Sequence, residues 1–118
     1  MAFRRKDHFY KKAKEQGMRS RAVYKLEELD KRFKLFKSRG RVLDIGAAPG
    51  GWLQVAAEKV GKHGLVIGID LLPIEPLPDA HVYLIEGDIL DPEMQLQIRN
   101  RMAKGANTVL CDIAPPIS

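Results

Sequence analysis

Acidic residues stand at or beside the ends of four short apolar segments, and one of these segments runs into a glycine-rich turn. The acids are Asp44, Asp70, Asp88 and Asp112, and the turn covers residues 46–51 with the sequence GAAPGG. Carboxylates accept hydrogen bonds from ribose hydroxyls, and a glycine turn that opens a helix lets the backbone approach a ligand closely. This combination indicates a site for a nucleotide-like ligand.

The turn itself discriminates between ligands. Dinucleotide-binding turns follow the pattern G-x-G-x-x-G, whereas here Ala48 replaces the second glycine and Pro49 removes a backbone N–H. A pyrophosphate site is therefore disfavoured, although close approach at Gly46 and Gly50 is retained. With Asp70 at the usual distance for a ribose contact, the pattern favours a nucleoside that carries an amino-acid tail, such as S-adenosylmethionine. A fragment of a dinucleotide-dependent oxidoreductase is the disfavoured alternative.

Hydrophobic periodicity predicts the elements that position these acids. Strands are expected at 42–45, 65–69, 81–86 and 107–111. Helices are expected at 8–16 and 20–37, from the glycine turn until Gly61, and from Pro92 to Gly105. The three prolines in residues 71–80 predict an extended connection with at most a single turn. The alternation indicates an α/β fold with a partial Rossmann-like parallel sheet in strand order 3-2-1-4. Because ligands bind outside the carboxyl ends of such strands, Asp70, Asp88 and Asp112 are expected beside the turn.

Charge divides the chain into two predicted units. Residues 1–41 hold 15 Lys/Arg against 5 Asp/Glu, a balance of +10, whereas the remainder holds 5 against 10, a balance of −5. We expect residues 1–38 to form a basic helical arm that binds nucleic acid, and residues 39–118 to form the ligand-binding core. Ser20 is the expected cap of the second helix, and Lys25 lies at the edge of its apolar stripe. That stripe consists of Ala22, Leu26, Leu29, Phe33 and Phe36.

Several function classes are disfavoured by composition. The single cysteine, Cys111, excludes an intrachain disulfide framework and fits a reducing, cytoplasmic setting; we expect it to pack in the core. No apolar run approaches the roughly 20 residues needed to cross a bilayer, so no membrane association is expected. His8, His63 and His81 are scattered, which argues against a metal site.

The motifs together resemble those of the FtsJ-type ribosomal RNA large-subunit 2′-O-methyltransferases, which are class I enzymes dependent on S-adenosylmethionine. The resemblance runs from about residue 5 to residue 115. The segments that carry it are KDHFY at 6–10, RSRAVYKL at 19–26, LDIGAAPGGW at 43–52, DLLP at 70–73, GD at 87–88 and DIAP at 112–115.

The resemblance implies a role for individual residues. Asp70 would hold the cofactor ribose and Asp88 the adenine amino group, and Lys25 and Asp112 match two members of the family's catalytic Lys-Asp-Lys-Glu set. The implied cofactor site comprises Gly46, Ala47, Pro49, Gly50, Gly51, Trp52, Asp70, Leu71, Asp88, Ile89 and Asp112. Arg19, Arg21, Lys11 and Lys12 would bind RNA, so the implied partner is ribosomal RNA or the large ribosomal subunit. We expect Trp52 to pack at the turn.

The sequence also departs from the family pattern. The second lysine and the glutamate of the catalytic set lie beyond the fourth strand in the family, and Pro116 replaces the asparagine that usually follows Asp-x-Ala-Pro. We therefore expect an RNA 2′-O-ribose methyltransferase, or only the cofactor- and RNA-binding half of one. The alternative is a non-catalytic module that binds S-adenosylmethionine and RNA. Residues 108–111 are apolar and uncharged, which predicts self-association, or pairing with a missing piece, through an exposed fourth strand.

Overall fold

The computed structural model describes residues 17–19 and 22–111. The predicted first helix, Lys11, Lys12, Ser20, Arg21 and Asp112 lie outside the described residues. Within them, the order of elements is α1 (Val23–Phe33), β1 (Arg41–Ile45), α2 (Gly51–Val60), β2 (Leu65–Asp70), β3 (Val82–Glu86), α3 (Pro92–Arg101) and β4 (Thr108–Cys111).

The four strands form one parallel sheet in the order β3-β2-β1-β4. In register, Ile45 of β1 lies opposite Ile69 of β2 and Cys111 of β4, so the strands end at a common edge. The chain first builds the sheet from β1 towards β3 and then returns to the other side of β1. The predicted α/β fold and strand order are therefore confirmed, and the point where the direction reverses lies between β1 and β4.

Hydrophobic clusters cover both faces of the sheet, because side chains of each strand alternate between the faces. On one face, Leu53 of α2 belongs to the same buried cluster as Val42 and Val66, together with Val23 and Leu26 of α1. On the other face, Ile98 of α3 clusters with Ile67, Ile69 and Ile85. Two layers of helix thus enclose the sheet.

Helix α1 is shorter than its apolar stripe predicted. It ends at Phe33, and Lys34 takes a left-handed conformation with φ 52° while its N–H donates to the carbonyl of Asp30. The Asp30 carboxylate then accepts the N–H of Phe36 at 3.0 Å, which fixes the chain in a non-helical path. Phe33 is therefore 60% exposed, and the predicted continuation to residue 37 is wrong.

The prediction for the connection after β2 and for the cap of α3 is confirmed. Residues 71–81 contain no helix. Asp91 caps α3 by accepting the N–H of Glu93 at 2.9 Å, and Pro92 occupies the first helical turn. Met94 and Ile98 form its apolar face as their spacing predicted, and Met102 packs in the same cluster. The helix ends at Arg101, so its predicted continuation to Gly105 is wrong.

Strand β4 lies at the edge of the described sheet. Val109 is 57% exposed, and Cys111 is exposed as well, so the prediction that this cysteine packs in the core is wrong. The physical reason is that both residues point to the face covered by α3, and α3 packs on β2 and β3 instead. None of the described helices combines the length and hydrophobicity required to cross a membrane.

Candidate functional site

Two glycines with positive φ bend the chain between β1 and α2. Gly46 has φ 78° and Gly50 has φ 112°, a region that residues with a Cβ rarely adopt. The N–H groups of Gly46 and Ala47 donate to the carbonyl of Ile69 at 2.9 and 3.2 Å. The turn is therefore attached to the end of β2, and the Ala48–Pro49 peptide within it is cis.

The carboxylate of Asp70 holds this turn against the connection that follows β2. Its Oδ2 accepts the N–H of Ala48 and its Oδ1 accepts the N–H of Leu72, both at 2.9 Å. The backbone carbonyl of Asp70 accepts the N–H of Gly87, which joins the ends of β2 and β3. A carboxylate oxygen can accept a further hydrogen bond, so the group is fixed in place yet can still bind a diol.

Asp88 follows β3 and stands at the same edge of the sheet. Its Oδ1 accepts the N–H of Leu90 at 2.9 Å, and its backbone carbonyl accepts the N–H of Asp91. The residue is nevertheless exposed. This local turn orients the side chain without enclosing it, so the carboxylate can accept a hydrogen bond from a ligand.

A cleft of about 240 Å³ opens between the carboxyl ends of β1, β2 and β3. The structure brings together five of the predicted cofactor residues in its lining, and each stands at the end of a strand or in the segment that follows it. They are Gly46, Asp70, Leu71, Asp88 and Ile89, and the remaining lining residues are Ile45, Ala48, Ile69 and Gly87.

Four other predicted cofactor residues line a smaller cavity on the far side of the turn. They are Ala47, Pro49, Gly51 and Trp52, and they share this cavity with Ala22, Asp44, Gly46 and Ala48. The Nε1 of Trp52 is buried, and no acceptor lies within hydrogen-bonding distance of it in the described part of the chain. Because Gly46 and Ala48 line both cavities, the two spaces are adjacent.

Trp52 packs against the cluster formed by α1 and α2, as expected for a residue at the turn. Gly50, the remaining predicted cofactor residue of the turn, is covered from outside by Arg19. A Cβ at residue 50 would lie 2.7 Å from the Nη1 of Arg19. The outer side of the turn is thus occupied by protein, and its inner side faces the cavities.

Arg19, predicted to bind RNA, has its guanidinium engaged with backbone carbonyls. Nη1 donates to the carbonyls of Pro49 and Glu75 at 3.2 and 2.6 Å, and Nη2 donates to that of Pro76 at 2.7 Å. In addition, its backbone N–H donates to the Oε1 of Gln54 at 2.8 Å. Arg19 therefore joins the glycine turn, the connection after β2 and helix α2.

Lys25 is exposed on α1. Ala22, three residues before it, lines the smaller cavity, and residues three apart are neighbours on a helix surface. Lys25 therefore lies about one helical turn from that cavity. Its predicted partner, Asp112, lies outside the described residues, as do Arg21, Lys11 and Lys12.

Sequence reasoning missed several residues at the site. Asp44 was predicted only as an acid near a strand end. The sequence did not reveal that this residue is buried, at 1% exposed, or that it lines the smaller cavity. Ala48 contributes its backbone N–H, and because every residue except proline has this group, the residue type does not reveal the contact. Gln54 contacts Arg19 across 35 residues of sequence, and only the folded chain places these two residues together.

Comparison with known proteins identifies a family for this chain. The sequence model of the FtsJ-like methyltransferase family matches residues 18–118. The chain is 50% identical over 111 residues to the ribosomal RNA large subunit methyltransferase E of Methanobrevibacter smithii, covering 94% of this chain and 53% of that protein. It is 47% identical over 117 residues to the protein of the same name from Methanothermobacter thermautotrophicus, covering 99% of this chain and 56% of that protein.

A solved structure shares the fold. It is described as a ribosomal RNA methyltransferase from Plasmodium falciparum, is 34% identical, and superposes with a TM-score of 0.70 over 84% of this chain and 58% of that one. The chain thus spans about half the length of the curated relatives it matches. The family match covers most of the sequence, including the glycine turn and both cavities, and on this basis the chain belongs to the FtsJ-like methyltransferase family.

Proposed function

We propose that this chain binds S-adenosylmethionine and ribosomal RNA and methylates a ribose 2′-hydroxyl of that RNA, with S-adenosylmethionine as the methyl donor. The observation that carries the proposal is the cleft that Asp70 and Asp88 share with the glycine turn. The names of the relatives support ribosomal RNA as the substrate.

The two adjacent cavities suit the two ends of S-adenosylmethionine. We place the adenosine in the larger cleft, where Asp70 would accept from the ribose hydroxyls and Asp88 from the adenine amino group. We place the amino-acid tail in the smaller cavity, where Gly51 and Trp52 begin α2. The first N–H groups of a helix have no intrahelical partner, so they suit a carboxylate, and the buried indole N–H of Trp52 is a further donor.

The proposed chemistry assigns separate tasks to protein and cofactor. The sulfonium of S-adenosylmethionine supplies an already activated methyl group, so alignment of the attacking oxygen provides much of the rate. We propose that Lys25 and Asp112 orient the ribose hydroxyl and take up its proton as the methyl group is transferred. Exposure of Lys25 on α1 leaves its Nζ accessible to an RNA strand that crosses the cleft.

The test combines calorimetry with a transfer assay. S-adenosylmethionine should bind and NAD should not, and Asp70→Asn should weaken binding at least tenfold, whereas Glu58→Gln on the surface of α2 should not. Preference for NAD would overturn the cofactor assignment and favour the oxidoreductase alternative.

Radiolabelled S-adenosylmethionine and undermethylated ribosomal RNA then test turnover. We expect label at a ribose 2′-oxygen, abolished by Lys25→Ala or Asp112→Ala and retained by Lys31→Ala, which removes an exposed lysine from the same helix. If the wild-type chain binds cofactor and RNA but transfers no label, the 118-residue chain is a binding module, and the catalytic part of the proposal is refuted for it.

A further inference from the structure

Basic residues of the folded core are concentrated at one end of the strands. Residues 42–118 have a net balance of −5, and yet their five Lys/Arg residues all lie towards the amino ends of the strands. Lys59 is in the last turn of α2, Arg99 and Arg101 are in the last turn of α3, and Lys62 and Lys104 are in the loops before β2 and β4. Most acids lie at or near the carboxyl ends, as do Asp70, Glu86, Asp88, Asp91 and Glu93, whereas Glu58 in the last turn of α2 and Asp79 before β3 lie towards the amino ends.

Three loops meet at the amino edge of the sheet, namely residues 34–40, 61–64 and 102–107. The N–H of Arg39 donates to the carbonyl of Val60 at 2.8 Å, and the N–H of Leu65 donates to the carbonyl of Gly40 at 3.0 Å. Arg41 ties in the third loop, because its Nε donates to the carbonyl of Gly105 and its N–H to the Oδ1 of Asn107. These bonds hold the loops side by side across β2, β1 and β4.

Five exposed cations stand on these loops. Lys34 directly follows helix α1, and we name the other four the amino-edge patch: Lys37, Arg39, Lys62 and Lys104. In the part of the chain that the structure describes, none of the four forms a salt bridge, whereas the neighbouring Lys59 pairs with Asp30 at 3.8 Å. The sequence contains no Asp or Glu in residues 31–43, 61–69 or 97–111. The three loops themselves therefore carry no acidic residue, and the acids at this edge, Asp30, Glu58 and Asp79, lie outside them.

The composition of the patch indicates the class of partner. Protein interfaces depend on buried aromatic or aliphatic anchors, and the three loops, all within the described residues, expose no large apolar side chain. Phosphate backbones are bound by lysine and arginine without such anchors, and the affinity comes from the release of counterions. The patch thus fits RNA better than an acidic protein.

We propose that the amino-edge patch is a second RNA contact surface, which binds phosphates of structured RNA remote from the nucleotide in the cleft. A five-residue strand is about 17 Å long, so the patch and the cleft lie at opposite ends of the core. An RNA strand threaded through the cleft cannot reach the patch directly. A folded ribosomal RNA can present separate segments to both. The proposal rests on the proposed function only in taking RNA as the partner.

The first experiment measures the salt dependence of RNA binding with a labelled transcript of large-subunit ribosomal RNA. The variant Lys37→Gln/Arg39→Gln/Lys62→Gln/Lys104→Gln should lower the slope of log K against log salt by about 3, since each neutralised phosphate contributes roughly 0.7–0.9. The matched control exchanges lysine and arginine at the same four positions and should retain the wild-type slope. Affinity for S-adenosylmethionine should be equal in all three proteins, which verifies folding.

The second experiment distinguishes direct contact between RNA and the amino-edge patch from long-range electrostatic attraction of RNA by the protein. Lysine acylation followed by mass spectrometry should show Lys62 and Lys104 protected when the transcript is bound. Equal reactivity with and without RNA, or an unchanged salt slope in the glutamine variant, would overturn the proposal while leaving the proposed function standing. A wild-type chain that binds no cofactor would instead refute the proposed function, independently of the patch.

Discussion

Arg19 offers the sharpest test of structure against sequence, because the two assign it different tasks. As a phosphate ligand it would act on RNA, whereas the structure shows its guanidinium bound to three carbonyls around the glycine turn. We predict that Arg19→Gln loosens the turn and weakens binding of S-adenosylmethionine, and that it leaves the phosphate contacts of the chain unchanged.

The expected magnitude follows from these three bonds. A hydrogen bond from a charged donor contributes about 1.5–3 kcal/mol in a protected site, and exposure of these bonds reduces each to roughly 0.5–1 kcal/mol. Their sum is about 1.5–3 kcal/mol. If the turn must be held for the cofactor to bind, the dissociation constant should rise by about 10- to 100-fold, since 1.4 kcal/mol corresponds to a factor of ten.

Calorimetry with S-adenosylmethionine and salt-dependent RNA binding together provide the assay. Arg19→Lys is the matched control for charge, because lysine keeps the positive charge but cannot donate to three carbonyls in the planar geometry of a guanidinium. It should weaken cofactor binding nearly as much as Arg19→Gln. Gln54→Ala, which removes a neutral partner of Arg19, should shift cofactor affinity in the same direction.

One result would refute this reasoning. A single phosphate contact contributes about 0.7–0.9 to the salt slope, so a phosphate ligand is recognised by a slope that falls by about that amount on mutation. If Arg19→Gln lowered the salt slope in this way while cofactor affinity stayed constant, the contacts of Arg19 with the three carbonyls would not contribute to cofactor binding. The sequence-based assignment of Arg19 to RNA would then stand.

Two further predictions concern the core and the edge of the sheet. Gly68→Ala should lower the free energy of unfolding by about 1–3 kcal/mol, as measured by urea denaturation. The reason is that the added Cβ would lie 2.8 Å from both Cδ atoms of the fully buried Leu53. Unchanged stability would contradict this prediction and show that the core can repack. Val109→Lys should reduce concentration-dependent self-association in sedimentation experiments, because Val109 is 57% exposed on edge strand β4. A wild-type chain that is monomeric at high concentration would contradict self-association through this strand.

The local sequence pattern was sufficient to predict those elements whose bounds depend on residues close together in the sequence. The apolar runs predicted all four strands and their order, and the Asp-Pro pair predicted the start of α3. Convergence of Asp70 and Asp88 on the glycine turn could also be expected, because strands of a parallel sheet end at one edge. The apolar stripe failed at the end of α1, since periodicity does not reveal that the carboxylate of Asp30 binds the N–H of Phe36.

The sequence by itself determined the glycine turn, the acids that follow the strands and the family to which the chain belongs, since these depend on residue types at short spacing. Tertiary structure alone decided that Arg19 contacts residues 30 to 57 positions away. It also decided that the acidic core has a basic edge, because a parallel sheet sends loops from distant segments to the same end. The net charge of a segment does not say where the individual charges lie, whereas the fold places each charge at a definite position.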